Sequence, residues 1–334
     1  MASKRDILAV SIGEPAGIGP EIILKAWLSS EKEGINPFVV FGDPALLEHR
    51  ARLFGFTVPI RTCKPEEVFD AFPMTLPVIP IENKLSDNPG ELEVRNAPGV
   101  IESIEKATEA VLTGQAKALV TLPIQKHNLY QHGFKHPGHT EFLGALSEKH
   151  TGEKIQPVMM LAGPELRTIP VTGHIAINQV APAITPELLE KIARITIHDL
   201  QTRFGIEKPR IAVAGLNPHA GENGAMGKED AAIIAPVIKM LQDEGFAVTG
   251  PHPADTMFNK NARQKYDVAL AMYHDQALIP VKTIAFDETV NVTLGLPFMR
   301  TSPDHGTALD IATKGIANPS SLLAALKLAN EVKI

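Results

Sequence analysis

One cysteine, Cys63, stands in a chain of 334 residues. A lone thiol closes no intrachain disulfide and builds no multi-cysteine zinc site, and such sparse use of cysteine suits a reducing compartment. A basic excess is missing too. Lys and Arg total 32 against 38 Asp and Glu, for a formal net charge of −6, which is not the electrostatic footprint of a nucleic-acid binder. No apolar run approaches the ~18 residues of a membrane span. The opening Met1–Asp6 leads into an apolar run broken by Ser11 and Gly13, too short for the core of a signal peptide. Neither the G-x-G-x-x-G dinucleotide fingerprint nor the G-x-x-x-x-G-K-[ST] phosphate loop occurs. Internal repeats and low-complexity tracts are absent as well. A soluble cytoplasmic protein with no nucleic-acid or membrane partner is the expectation.

What is present is a globular composition, 44% hydrophobic and 21% charged, able to bury about three quarters of the unfolded surface. Short β-rich runs closed by Gly, Pro, His or Asp alternate with stretches of helical period, which predicts an α/β protein. The expected strands are Ile7–Ser11, Phe38–Phe41, Ala118–Thr121, Ile169–Thr172, Arg210–Ala214, Val268–Met272 and Val290–Leu294. The expected helices are Gly19–Leu28, Val100–Thr113, Pro186–Phe204, Lys228–Glu244 and Ser320–Glu331. The third has a clear start signal, with Thr185 as cap, Pro186 in the first turn and Glu187 at the positive end of the dipole. Phe72–Pro98, rich in Pro, Asn and Gly, reads as a long surface excursion. The length fits two domains, one of them discontinuous.

Ligands of open α/β sheets bind beyond the carboxyl ends of the strands, and here those positions are polar. Gly173-His174 follows one strand, Gly215-Leu216-Asn217-Pro218-His219 another, and Tyr273-His274-Asp275-Gln276 a third. Taken singly, each histidine is an ordinary surface or loop residue. Three at equivalent ends of parallel strands converge on one crevice, and three neutral imidazoles with an open position suit a catalytic divalent metal. The glycine-rich turn Gly13–Pro20 is either a tight strand-to-helix connection or a place where backbone approaches a ligand. Lys282, Asn291, Arg300 and Thr140 would form a mixed clamp for phosphate or carboxylate; singly, such cations snorkel beside apolar runs. Asp255 either binds an amine, orients a proton-transfer group or caps a turn.

Gly13–Glu21, Pro137–Glu141, Leu216–Glu222, Pro253–Thr256, Met272–Gln276 and Thr293–Phe298 together resemble the 4-hydroxythreonine-4-phosphate dehydrogenase family of the pyridoxal phosphate pathway, in the family's order from about Ile7 to Leu328. The resemblance implies an isocitrate/isopropylmalate-dehydrogenase-like fold of two α/β domains with the active site in the cleft between them. The domains are expected at 1–126 plus 295–334, carrying a cofactor loop, and at 127–294, carrying metal ligands and the dimer interface. It also implies a homodimer with active sites shared across the interface. One divalent metal ion (Zn, Mg or Co) falls on His174, His219 and His274, one of the three coming from the partner subunit. Substrate contacts fall on His139, Thr140, Asp255, Lys282, Asn291 and Arg300, with Lys282 and Asp255 also the catalytic candidates.

The run Asp304–Pro319 is similar to the adenosine-binding loop of isopropylmalate dehydrogenases. That likeness places cofactor contacts at His305, Gly306, Thr307, Asp310 and Asn318. A carboxylate at Asp310 would accept from a ribose diol and repel a 2′-phosphate, so NAD is expected over NADP. The implied reaction is NAD-dependent oxidation of 4-phosphooxy-L-threonine. Alternatives are a related phosphorylated hydroxy acid such as threonate 4-phosphate, an aromatic cis-dihydrodiol, or the chemistry of a phosphate acyltransferase of related fold. Leu122, Ala277 and Thr313 depart from the smaller residues or glycines common at their positions in these families.

Overall fold

The computed structural model describes residues 6–333; Met1–Arg5, read above as the start of the chain, and Ile334 lie outside them. Its strands are β1 (Leu8–Ser11), β2 (Phe38–Gly42), β3 (Ile60–Thr62), β4 (Leu76–Pro80), β5 (Ala118–Thr121), β6 (Val158–Ala162), β7 (Arg167–Pro170), β8 (Ile211–Ala214), β9 (Val248–His252), β10 (Val268–Ala271), β11 (Val290–Leu294) and β12 (Met299–Pro303). Contacts divide the chain into a first unit of residues 1–157 and 296–332 and a second of 158–295.

In the first unit the strands run β3-β4-β2-β1-β5-β12, all parallel. Helices including Gly19–Glu33 and Ala97–Leu112 connect them. β1, β2, β5 and β12 are buried at every position, as parallel strands covered on both faces must be. In the second unit the order is β11-β6-β7-β10-β8-β9. β6 is antiparallel to both β11 and β7, while β7, β10, β8 and β9 run parallel. Thr185 caps the helix Pro186–Thr202 by accepting from the Leu188 N–H at 3.2 Å, as the start signal implied.

The expected surface excursion Phe72–Pro98 needs correcting. It contains β4, an interior strand whose Leu76 and Val78 are fully buried. Prolines hide it from a reading by periodicity. Pro80 lies past the last residue of the short edge strand β3, where its missing N–H leaves no ladder bond unmade.

The glycine-rich turn after β1 is a packed connection. Arg50, wholly buried in the helix Pro44–Phe54, donates to the Pro15 carbonyl at 2.7 Å and the Gly17 carbonyl at 3.0 Å. Its Nη2 also meets Asp87 at 2.5 Å. Two carbonyls and one carboxylate therefore satisfy a guanidinium taken out of water. Gly17 faces Thr307 so closely that a Cβ would stand 2.7 Å from its carbonyl oxygen. Asp87→Ala leaves the Arg50 charge buried and uncompensated, and we expect a loss of about 3–5 kcal/mol of stability, read from urea unfolding. Arg50→Lys should not restore wild-type stability, because an ammonium cannot span both carbonyls and the carboxylate in one plane.

Candidate active site

Parallel pairing in the second unit sets three loops at one edge. Pro170 is level with Ala271 and Leu270 with Val213, so the segments following β7, β10 and β8 leave their strands side by side. The ladder runs on past β7, with the Val171 N–H donating to the Ala271 carbonyl at 2.7 Å and the Thr172 hydroxyl to the Met272 carbonyl at 2.7 Å. One residue further out on each segment, past Gly173 and Tyr273, stand His174 and His274, whose ring centroids are 4.9 Å apart. Both border a cavity of about 310 Å³ that Tyr273, Asp275, Ile177 and Val180 also line. Asp275 Oδ1 lies 2.7 Å from His274 Nδ1; with the proton on Nδ1, Nε2 keeps its lone pair for a Lewis acid.

Gln276 ties two of these loops together. Its Oε1 accepts from the Met272 N–H at 2.6 Å and its Nε2 donates to the Gly215 carbonyl at 2.9 Å. Beyond Gly215 the chain enters a left-handed turn, with φ of +54° at His219, +52° at Ala220, +42° at Glu222 and +54° at Asn223. Left-handed backbone costs about 1–2 kcal/mol for each non-glycine residue, so the turn needs outside support. His219 is exposed there. Among the described residues no set of three or more His, Cys, Asp or Glu could hold a metal ion. One chain thus brings two of the expected imidazoles together, and His219 stands apart from them.

The other expected residues of the second unit are distributed as follows. Asp255 is exposed on the short helix Ala254–Met257. Lys282 is half-buried on the helix His274–Ala285, with Nζ 5.6 Å from the Phe286 ring centroid. Asn291 is half-buried on β11.

The first unit carries the remaining candidates. Arg300 on β12 is buried, and its Nε and Nη2 donate to Thr121 Oγ1 at 3.0 and 2.6 Å. Burial lowers its pKa to about 10, against the favourable fields of Asp304 and Glu141, so it stays charged at neutral pH. His139 and Thr140 open the helix His139–Thr151 behind an extended Gly138. Burial, helped by the positive charges of Arg300 and Lys126, holds the His139 imidazole well below its ordinary pKa, and its Nε2 is buried without a hydrogen-bond partner. His139 is therefore a neutral ring with an unused polar atom. The imagined clamp is divided, with Thr140 and Arg300 in the first unit and Lys282 and Asn291 in the second.

The cofactor-loop candidates belong to the first unit. Asp310, Gly306 and Asn318 are exposed, and Asn318 Oδ1 accepts from the Ser320 N–H and hydroxyl. His305 Nδ1 lies 2.9 Å from the Gly306 carbonyl, while its Nε2 is buried without a partner. The Thr307 carbonyl accepts from the Ile18 N–H at 3.0 Å. Lys25 donates to the Gly315 and Ala317 carbonyls at 2.9 and 2.8 Å and to Glu21 at 2.7 Å, and Glu21 accepts from the Ala317 N–H at 2.8 Å. Sequence reading passed over this brace. The available signal was the i, i+4 spacing of Glu21 and Lys25 on an otherwise buried helix face.

A two-unit α/β chain with paired imidazoles at the carboxyl edge of parallel strands fits the class of α/β enzymes that bind their ligands at that edge. Comparison with known proteins makes this specific: residues 33–329 match the family model of the pyridoxal phosphate biosynthetic protein PdxA, and the chain belongs to that family. It is 51% identical to a 4-hydroxythreonine-4-phosphate dehydrogenase of Methylorubrum extorquens, over 99% of this chain and 96% of that protein. The solved structure of a putative 4-hydroxythreonine-4-phosphate dehydrogenase from Salmonella typhimurium superposes with a TM-score of 0.85 at 36% identity, covering 98% of this chain and 99% of that one. A terephthalate 1,2-cis-dihydrodiol dehydrogenase from Burkholderia xenovorans is less similar, with a TM-score of 0.66 and 29% identity over 98% of both chains. The α/β class expected from the sequence holds, and six of the seven expected strands fall on β1, β2, β5, β8, β10 and β11. The strand expected at Ile169–Thr172 is β7, which lies two residues earlier, and β3, β4, β6, β9 and β12 were not expected. No helix among the described residues is long and apolar enough to cross a membrane.

A neutral buried imidazole has a consequence for acid stability. The folded pKa of His139 lies below that of the unfolded chain, so its contribution is complete above an unfolded pKa of about 6.5 and is lost as pH falls below it. We expect the melting midpoint of His139→Gln to drop less between about pH 7.5 and about pH 5.5 than that of the wild type. Equal drops in a thermal-melt series would show that His139 takes up its proton in the folded state.

Proposed function

We propose that the chain oxidises the C3 hydroxyl of 4-phosphooxy-L-threonine with NAD, giving 2-amino-3-oxo-4-phosphooxybutanoate, which loses CO2 to leave 3-amino-2-oxopropyl phosphate for pyridoxal 5′-phosphate biosynthesis. The carrying observation is the His174–His274 pair at the carboxyl edge of the parallel strands, in a chain 51% identical to a dehydrogenase of that name. The residues fit a divalent cation: two imidazoles face one cavity, and neutral nitrogen donors suit zinc, cobalt or a mixed nitrogen and water shell of magnesium. His174, His219 and His274 would hold this ion, which supplies a Lewis acid for the alcohol and then the ketone. The buried Nε2 of His305 and the exposed carboxylate of Asp310 fit a polar cofactor at the loop His305–Asn318. NAD bound there would supply the hydride acceptor.

The chain's own groups bind and align the substrate. Arg300, His139, Thr140, Lys282 and Asn291 would grip its anionic ends, turning binding energy into orientation of C3. In this reading residues 1–126 plus 295–334 form the cofactor-carrying domain and 127–294 the metal-carrying one. Oxidation removes a hydride from C3 and a proton from its hydroxyl, and Lys282 or Asp255 would take the proton. A homodimer completes the centre, since His174 and His274 already share one edge and His219 of a second copy would be the third ligand. The segments bearing His174, His219 and His274 expose apolar side chains, namely Ile175 and Ile177, Met226, and Ile279 with Phe286, as a surface covered by another subunit would.

Purified protein should form NADH with 4-phosphooxy-L-threonine at a kcat/KM above that for threonate 4-phosphate or an aromatic cis-dihydrodiol; the reverse order would move it to another branch of its relatives. His219→Ala should lose stoichiometric metal by elemental analysis and fall by more than the ~100-fold in kcat/KM that supporting contacts to a metal site are worth. Full turnover after exhaustive chelation would refute the metal centre. Asp310→Ala should raise kcat/KM with NADP relative to NAD, because it removes the charge that repels a 2′-phosphate.

A further inference from the structure

We infer that Asp230 is a positioning residue for the metal centre, holding the strained turn that presents His219. The inference rests on the reading of His219 as a metal ligand. Asp230 is 1% exposed, and its carboxylate is spent on the base of that turn. Oδ1 accepts from the Leu216 N–H at 2.8 Å, and Oδ2 accepts from the Asn217 N–H at 3.2 Å and the Asn217 amide at 2.9 Å. Glu229 takes the same amide at 2.8 Å.

The glycines around the turn let it close on this carboxylate. A Cβ at Gly215 would stand 2.7 Å from Asp230 Oδ1, one at Gly221 would lie 3.3 Å from Asp230 Cβ, and one at Gly227 would overlap the Asn217 side chain. Asp230 also opens a π-helical turn, Asp230–Ile234, ahead of the helix Ala235–Asp243. Such turns are rare and concentrate at functional sites.

A left-handed run of non-glycine residues persists only where its surroundings over-determine it. Here the link from residue to function is short. The carboxylate fixes Leu216 and Asn217, Pro218 follows with its φ restricted by its ring, and His219 is next. Without the carboxylate the turn relaxes toward right-handed backbone and the imidazole leaves its bearing. A carboxamide in its place turns one acceptor into a donor facing backbone N–H groups.

Asp230→Asn and His219→Ala, each as the full-length protein stripped of metal, are titrated with Zn²⁺ against a chelator of known affinity, and their metal-free melting midpoints are measured. Asp230→Asn should bind Zn²⁺ about 10- to 100-fold more weakly than the wild type, with the larger loss in His219→Ala. Wild-type affinity in Asp230→Asn beside a loss in His219→Ala would overturn the positioning role, as would a lowered metal-free melting midpoint with affinity intact. Wild-type affinity in His219→Ala would instead refute the ligand assignment itself. If Asp230→Asn does not fold, Asn217→Ala removes one held group and leaves the Leu216 contact. It should weaken Zn²⁺ binding roughly threefold or more, within the range of a single lost hydrogen bond, and unchanged affinity in that variant would overturn the inference.

Discussion

Parallel pairing of β7, β10 and β8 is the constraint from which the rest of the site follows. Parallel strands joined by crossover helices all end on the same edge, and hydrogen-bond register leaves their carboxyl termini level to within a residue or two. Pro170 opposite Ala271 and Leu270 opposite Val213 bring residues more than 40 positions apart in sequence onto one rim. No local motif could do this. The 4.9 Å approach of the His174 and His274 rings is a property of the sheet, expressed through the two residues that happen to follow each strand.

Loops on such a rim are short of backbone partners, and this chain meets the shortage with buried or half-buried charged side chains. Arg50 takes two carbonyls of the turn Gly13–Gly19, and Asp87 balances its charge. Lys25 takes two carbonyls of the loop near Ala317 while Glu21 takes an N–H. Asp230 takes two N–H groups beneath the left-handed turn. Each device is polar at both ends, so burying the charge is compensated by groups that would otherwise be unsatisfied. Apolar packing could fill the same volume, yet it would leave the loop carbonyls and N–H groups without partners.

What the sequence made legible follows from how local each signal is. β1, β5 and β10 are continuous apolar runs, and Thr185-Pro186-Glu187 is a complete helix start, so both kinds of element were readable from a few neighbouring residues. The closeness of His174 and His274 was readable because both follow neighbouring parallel strands, whereas the place of His219 was not. β4 was not, since Pro77 and Pro80 imitate a loop, and Pro80 is tolerable only because β3 has ended beside it. Arg50 and Asp230 were not either. An arginine on a helix and an aspartate before one are ordinary in sequence, and their roles exist only once Pro15, Gly17, Leu216 and Asn217 are folded against them.

His139 in the first unit and the His174–His274 pair in the second sit in different electrostatic environments. His139 sits near two cations and is kept neutral by burial, so its ring can donate a hydrogen bond without adding charge. Arg300 supplies the charge beside it. Its pKa of about 10 is low for a guanidinium, yet far enough above neutrality that it carries a full positive charge at pH 7. A buried cation of this kind is stabilised by any anion that reaches it, since the cost of its desolvation has been met in folding. The imidazoles of His174 and His274 are more accessible and have a carboxylate, Asp275, beside one ring. That neighbour favours a donor nitrogen on the opposite side of the ring. The same residue type thus sits in two different electrostatic settings in the two units, and the difference is set by burial and by which charge folding places next to the ring.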